Sequence, residues 1–311
     1  MKENFNFIGR KYEKAEIENA QSALQEWSRD SIQRISGESE KTPKEIKIIN
    51  AVGTMIETEL RTLGIMPNRS FDSNKIHIFN TKEYQEYIGD KNSKGEYSST
   101  LDSIIIDKEI SQNDARLFSI LIHENIHQAS TQKFYINKDQ GIFDSRVGYR
   151  INSEWKKDDR KNRFRGFNEV MVDATTFKIL MNNQEYLNQE FGITKEELNG
   201  PIFSYMDKAP ILDSILKKVA VDNNKTLAEV FEIFEKGQFE STILNLKVIE
   251  QSFGSGSLQI LSLLDHLDLE EDNLLLQSKI LNYFSETDSF KRSAMGKDIL
   301  DFYNQKSHLL S

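Results

Sequence analysis

The segment "LFSILIHENIHQAST", residues 117–131, constrains this chain more than any other stretch. Two of its five histidines stand four apart, with a glutamate directly after the first. On an α-helix, side chains four apart share one face, with Cβ atoms about 5–6 Å from each other. His123 and His127 can therefore turn two imidazole nitrogens toward one cation at about 2.0–2.1 Å, the usual zinc–nitrogen distance. Glu124 is rotated aside from that face, too far round to share the ion but placed to reach a water beside it. Leu117, Ile120, Leu121 and Ile126 supply an apolar side, which puts the histidines at the border of a core. The alternative is a helix that carries two histidines by accident, and a third ligand decides between the two.

No cysteine occurs anywhere in the 311 residues, so thiolate ligands, disulfides and thiol nucleophiles are excluded together. The positions that would continue a longer histidine motif hold Ser130 and Lys133. His77 alternates with Ile76 and Ile78 in a strand-like stretch and reads as solvent-facing, while His266 in "LLDHLDL" reads as a helix-end residue. A carboxylate from a second helix remains. "GFNEVMVDATTF" offers Glu169 and Asp173, again four apart on one face. Glu169 can complete a tetrahedral set with water in the fourth place, and Asp173 can accept a hydrogen bond from the outer nitrogen of His123.

"HENIH" followed about 40 residues later by "GFNEVMVD" resembles the gluzincin metallopeptidases, the clan of thermolysin. In that clan the second motif reads Asn-Glu-x-x-x-Asp/Glu, matched here by Asn168, Glu169 and Asp173. The resemblance covers roughly residues 75–185, and it implies a zinc-dependent endopeptidase. One Zn²⁺ per chain would be held by His123, His127 and Glu169, with Asp173 and Asn168 behind them and Glu124 as general base. It also implies a tyrosine or histidine that holds the oxyanion of the reaction. Tyr205 is the preferred candidate, with Tyr149 and Tyr186 as alternatives. "GEYSSTLDSIIIDKE" is similar to the edge strand preceding the active-site helix of such enzymes, so the substrate backbone is expected along residues 101–107. A non-catalytic interaction or sensor module on the same fold, and a hydrolase of a non-peptide amide, are the competing readings.

The expected fold class is α+β: a zincin-like small mixed sheet with an active-site helix, followed by a helical C-terminal subdomain. The expected divisions are a mostly helical region at 1–70, the catalytic core at 71–200, and helices at 201–311 packed on that core. In the first region Pro43 opens a helix whose apolar residues are Ile46, Ile49, Met55, Ile56, Leu60 and Leu63. "KIHIF" and "SIIID" read as strands, with a short helix and a loop between them, and "VGYRI" as a further strand. Ser111 or Asn113 is the expected N-cap of the histidine-bearing helix. "GSG" at 254–256 reads as an interhelical turn. The net charge of −9 argues against nucleic-acid binding, and the run Arg160, Lys161, Arg163 and Arg165 reads as a solvated loop. No apolar segment of membrane-spanning length and no signal-peptide pattern is visible, so a cytoplasmic protein acting on proteins or peptides is expected.

Overall fold

Residues 76–107 form a three-stranded mixed sheet in the first unit. β2 (Ile76–Phe79) leads through helix α2 (Thr81–Ile88) to β3 (Gly95–Ser98), then to β4 (Ser103–Asp107). The three strands lie in the order β2-β4-β3, with β2 parallel and β3 antiparallel to β4. β4 is thus the central strand, its residues buried on both faces, as its unbroken β-branched run requires. The expectation of a substrate along 101–107 is corrected by this pairing: both edges of β4 are already bonded, Glu38 bridges the outer edge of β2 at Phe79, and among the described residues β3 carries the open edge. The computed structural model describes residues 6–7, 12–22, 37–66, 71–88, 93–99, 101–136, 143–153, 163–198, 205–264 and 270–308.

Two compact units divide the chain discontinuously, Met1–Gly141 with Thr175–Phe203, and Ile142–Ala174 with Ser204–Ser311. In the first, α1 (Pro43–Thr62) starts at a reciprocal capping box: Thr42 accepts the N–H of Glu45, and Glu45 accepts the N–H of Thr42 at 2.7 Å. Its buried stripe runs through Ile48, Ile49, Val52, Met55, Ile56 and Leu60, whereas Ile46 lies outside it and is exposed. α3 (Asp114–Ala129) packs against α1, β3 and β4. Asn113 caps it by accepting the N–H of Arg116 at 2.9 Å, and Ser111 belongs to the preceding 3₁₀ turn. Lys44 and Asp114 pair at 2.7 Å, tying the start of α3 to the first turn of α1. A short β1 (Asn6–Phe7) runs parallel to β5 (Lys133–Ile136).

The second unit opens with a hairpin, β6 (Phe143–Val147) and β7 (Arg150–Ser153). "VGYRI" is therefore the hairpin tip with its flanking residues, not one strand, and Gly148 sits there at φ +60°, where a Cβ would approach Gln238 Nε2 to 2.0 Å. Tyr149 is fully buried beside it and donates its hydroxyl to the Phe234 carbonyl at 2.6 Å. After α5 (Gln184–Phe191) and α6 (Lys195–Leu198), which belong to the first unit, the second unit continues with helices α7 (Ala209–Asp222), α8 (Leu227–Phe239), α9 (Lys247–Phe253), α10 (Ser257–Leu261), α11 (Glu270–Ser285) and α12 (Ser289–His308). Their apolar residues share one core, including Val219, Val230, Phe234, Ile249, Leu261 and Phe284. The whole is α+β and mostly helical, and no helix among the described residues is long and apolar enough to cross a membrane.

Asp107 joins several of these elements in the first unit. Fully buried at the end of β4, it accepts from Thr81 at the head of α2 (2.7 Å), from Lys94 before β3 (2.9 Å), and from the N–H of Glu109 on the way to α3 (3.0 Å). Burial pushes its pKa up, but the bonds from Lys94, Thr81 and Glu109 outweigh that and hold it below the ordinary carboxylate value. A depressed folded-state pKa gives stability that is present above the unfolded pKa of about 3.9 and lost as pH falls through the folded value. Asp107→Asn is expected to cost about 2 kcal/mol at neutral pH, read by urea melts. Below about pH 4 the gap between wild type and variant should narrow, and a pH-independent gap would show that the charge is not what matters.

Candidate metal centre

α3 presents His123 and His127 on one face because its other faces are fixed by burial: Leu117, Phe118, Leu121, Ile122 and Ile126 are all inaccessible to solvent. Both imidazoles turn their Nε2 atoms toward each other at 3.2 Å, with ring centroids 5.0 Å apart. Two nitrogens bound to one tetrahedral zinc ion are about 3.3 Å apart, from bonds of about 2.05 Å and the tetrahedral angle. The third ligand, a carboxylate, comes from α4 (Arg165–Asn182), one continuous helix. Its C-terminal half folds with the first unit, where Lys178 pairs with the buried Glu59 of α1 at 2.8 Å. Ligand atoms of His123, His127 and Glu169 all lie within 4.8 Å of one another, so this His-His-Glu group can hold a metal ion. Two imidazole nitrogens with one carboxylate form a donor set for a divalent transition-metal ion, so the residues present fit a metal.

Glu124 is the next residue round the helix and is buried. Its Oε2 accepts the backbone N–H of Tyr97 in β3 at 2.7 Å. The sequence gives no sign of this contact, since a backbone donor can belong to any residue type. Gly95 carries the one legible trace: a Cβ there would come within 2.4 Å of Ile120 Cγ2 and 3.5 Å of Glu124 Cγ. β3 therefore crosses α3 at close range, and the glycine is what permits it.

Behind Glu169, Asn168 is fully buried and makes a double contact. Its Oδ1 accepts the N–H groups of Tyr149 (2.8 Å) and Arg150 (3.2 Å), holding the hairpin tip. Its Nδ2 lies 3.4 Å from Glu169 Oε1, so the same amide steadies the carboxylate. Asp173 accepts the N–H of Tyr205 through Oδ2 at 2.8 Å and so anchors the segment that re-enters after the second motif. Tyr205 is half-buried, with Lys208 Nζ 4.8 Å from its ring centre. Tyr149 is removed from the oxyanion candidates, because its hydroxyl is buried and donated to Phe234, and burial drives its pKa well up. Tyr186 is exposed and packs edge-on to Phe191. His77 lies in β2 with Nδ1 3.0 Å from Glu38 Oε2 and takes no part in the group. His266, Arg160 and Lys161 fall outside the described residues.

Glu169→Ala should leave two protein ligands and bring bound zinc well below one per chain after dialysis, measured by elemental analysis. Asp173→Ala should retain zinc with affinity lowered about 10–100-fold in a chelator competition. The reverse order would make Asp173 the ligand.

Comparison with protein-family models, with curated proteins and with solved structures gave no match to this chain.

Proposed function

We propose that the chain is a zinc-dependent endopeptidase of gluzincin type, with a zincin-like placement of sheet and active-site helix. The observation that supports it most is the convergence of His123, His127 and Glu169 with a carboxylate, Glu124, adjoining the pair of histidines. A protein that only stored or sensed a metal would have no use for that fourth group. When bound, zinc supplies Lewis acidity and a water acidified toward neutrality. Glu124 takes the proton from the attacking water and returns it to the leaving amine. Its Oε2 is held by Tyr97, so Oε1 is the oxygen with capacity to carry that proton. Asn168 keeps the Glu169 carboxylate oriented, and the buried setting of both acids keeps bulk water from competing for them.

The substrate backbone is assigned to β3, the open edge. Tyr97 sends its N–H to Glu124 and not to β4, so its backbone faces outward, and by the period-2 alternation that of Gly95 does too. An extended peptide added there would run antiparallel to β3 and pass beside the base. Tyr205 is the proposed oxyanion donor, on a segment whose backbone Asp173 fixes.

Glu124→Gln keeps shape and polarity but cannot accept a proton. Zinc content should stay at one per chain, while hydrolysis of a quenched fluorescent peptide library falls by at least about 100-fold. Turnover close to that of the wild type would refute the role of the base. Chelation should abolish the wild-type activity and added zinc restore it.

A further inference from the structure

The bond between Tyr97 and Glu124 is one side of a closed ring, and the remaining sides run through the turn between β3 and β4. The hydroxyl of Tyr97 donates to Asp102 Oδ1 at 3.1 Å. The backbone carbonyl of Asp102 in turn accepts the side-chain amide of Gln128 at 3.1 Å. Gln128 stands four residues after Glu124 on α3, hence on the same side of the helix, and closes the ring. The other carboxylate oxygen of Asp102 pairs with Lys75 Nζ. Just beyond α3, Gln132 donates to the Ser99 carbonyl at 2.7 Å, so the turn is tied to this part of the chain twice.

Asp102 is buried and holds φ at +48°. Glycine adopts that left-handed backbone freely, and among side-chain-bearing residues aspartate and asparagine tolerate it best. The position thus carries a carboxylate where the backbone alone would favour glycine, and both of its oxygens are engaged. β3 is paired with β4 along one side only. A strand held on one side can rock about that pairing, and rocking is the motion that would carry the Tyr97 N–H away from Glu124. The hydroxyl of Tyr97 is the tip of its side chain, the point farthest from the strand axis. A tether there resists rocking with the most leverage. Because Gln128 binds the same aspartate, the tether is anchored to the helix that bears Glu124.

We propose that Asp102 is a positioning residue for Glu124, an inference that rests on the assignment of Glu124 as the general base. Asp102 holds the Tyr97 hydroxyl and so fixes the backbone N–H against which the base is set. It acts through Tyr97 and not on the reacting atoms. Placement of the base matters because a shift of about 1 Å in a reacting group can cost about 100-fold in rate. The competing role is purely structural, with Asp102 serving the turn through Lys75 alone.

Three variants of the full chain separate these roles. Asp102→Gly removes the carboxylate and suits the positive φ. Asp102→Asn tolerates the same backbone and keeps an oxygen for the hydroxyl, while Tyr97→Phe removes the hydroxyl alone. The first measurement needs no turnover: amide hydrogen exchange of Tyr97, followed by NMR on isotope-labelled protein. Exchange should be about 10-fold faster in Asp102→Gly and in Tyr97→Phe, with Leu121 and Ile122 in α3 unchanged, whereas general destabilisation would quicken all three amides. Asp102→Asn should stay close to the wild type. The second measurement is peptide hydrolysis: kcat should fall about 10-fold in Asp102→Gly and Tyr97→Phe, with KM and zinc content unchanged, and Asp102→Asn should recover most of it. Wild-type exchange at Tyr97 in both Asp102→Gly and Tyr97→Phe would overturn the proposal, as would a loosened amide with undiminished kcat. An Asp102→Asn variant as impaired as Asp102→Gly would place the effect in the Lys75 ion pair and overturn it too. If the wild type hydrolyses no peptide, the proposed function falls, and the exchange rates alone decide whether Asp102 holds the Tyr97 N–H in place.

Discussion

Two imidazole nitrogens held 3.2 Å apart impose the condition that the rest of the site answers to. A neutral imidazole has one donor and one acceptor nitrogen, so facing Nε2 atoms must share a proton or a cation between them. Either solution fixes both rings, and a carboxylate oxygen within 4.8 Å favours the cation. The helix can keep this arrangement only if it cannot rotate. Burial of Leu117, Phe118, Leu121 and Ile126 on its other faces prevents rotation, as do the Asn113 cap and the Lys44–Asp114 ion pair at its start. A turn of one residue about the axis, about 100°, would carry both histidines off the site and bring Glu124 and Gln128, or Ile122 and Ile126, into their place.

The second motif works differently, with each polar residue holding a separate piece of backbone. Asn168 ties the hairpin tip at Tyr149 and Arg150 while its amide nitrogen faces Glu169. Asp173, one turn on, ties Tyr205. Such a helix is costly to alter. Substituting Asn168 removes the acceptor for two N–H groups of the hairpin tip and loosens a metal-site carboxylate in the same step. Loss of metal in a variant at that position would therefore mix two causes, which is why Glu169 and Asp173 are the cleaner probes.

How far the sequence reveals this depends on the kind of constraint involved. The histidine pair and the Glu169–Asp173 pair are legible because helical period alone places residues four apart on one face. Pro43 and Asn113 are legible as helix starts, and the isoleucines of β2 and β4 as strands. Strand order is not, because pairing is decided by backbone partners distant in sequence: "GEYS" has weak β pattern, yet it takes the edge and leaves "SIIID" at the centre. "VGYRI" deceives by composition, since its β-branched and aromatic residues flank a glycine whose positive φ turns the chain back. Arg292 was hidden for the opposite reason. It lies in a helix of mostly polar residues, "SFKRSAMGKD", where an arginine reads as solvated, yet it is 5% exposed and packs over the Phe253 ring.

The contact between β3 and Glu124 joins fold and chemistry most directly. An open strand edge is ordinarily a liability, because its unpaired N–H groups invite another chain. Here one of those groups is taken by the acid that the proposed reaction needs, and Gly95 brings the strand close enough to reach it. The bond has two consequences. It fixes the carboxylate by one oxygen, so that the other faces a single direction. It also makes the orientation of the base depend on the edge strand, the element on which an extended peptide would pair. Backbone added to β3 would stiffen that edge, and stiffening it would hold Glu124 more firmly in place. In the proposed enzyme, then, the substrate helps to set the base that acts on it, and a residue as chemically plain as Gly95 becomes part of the means.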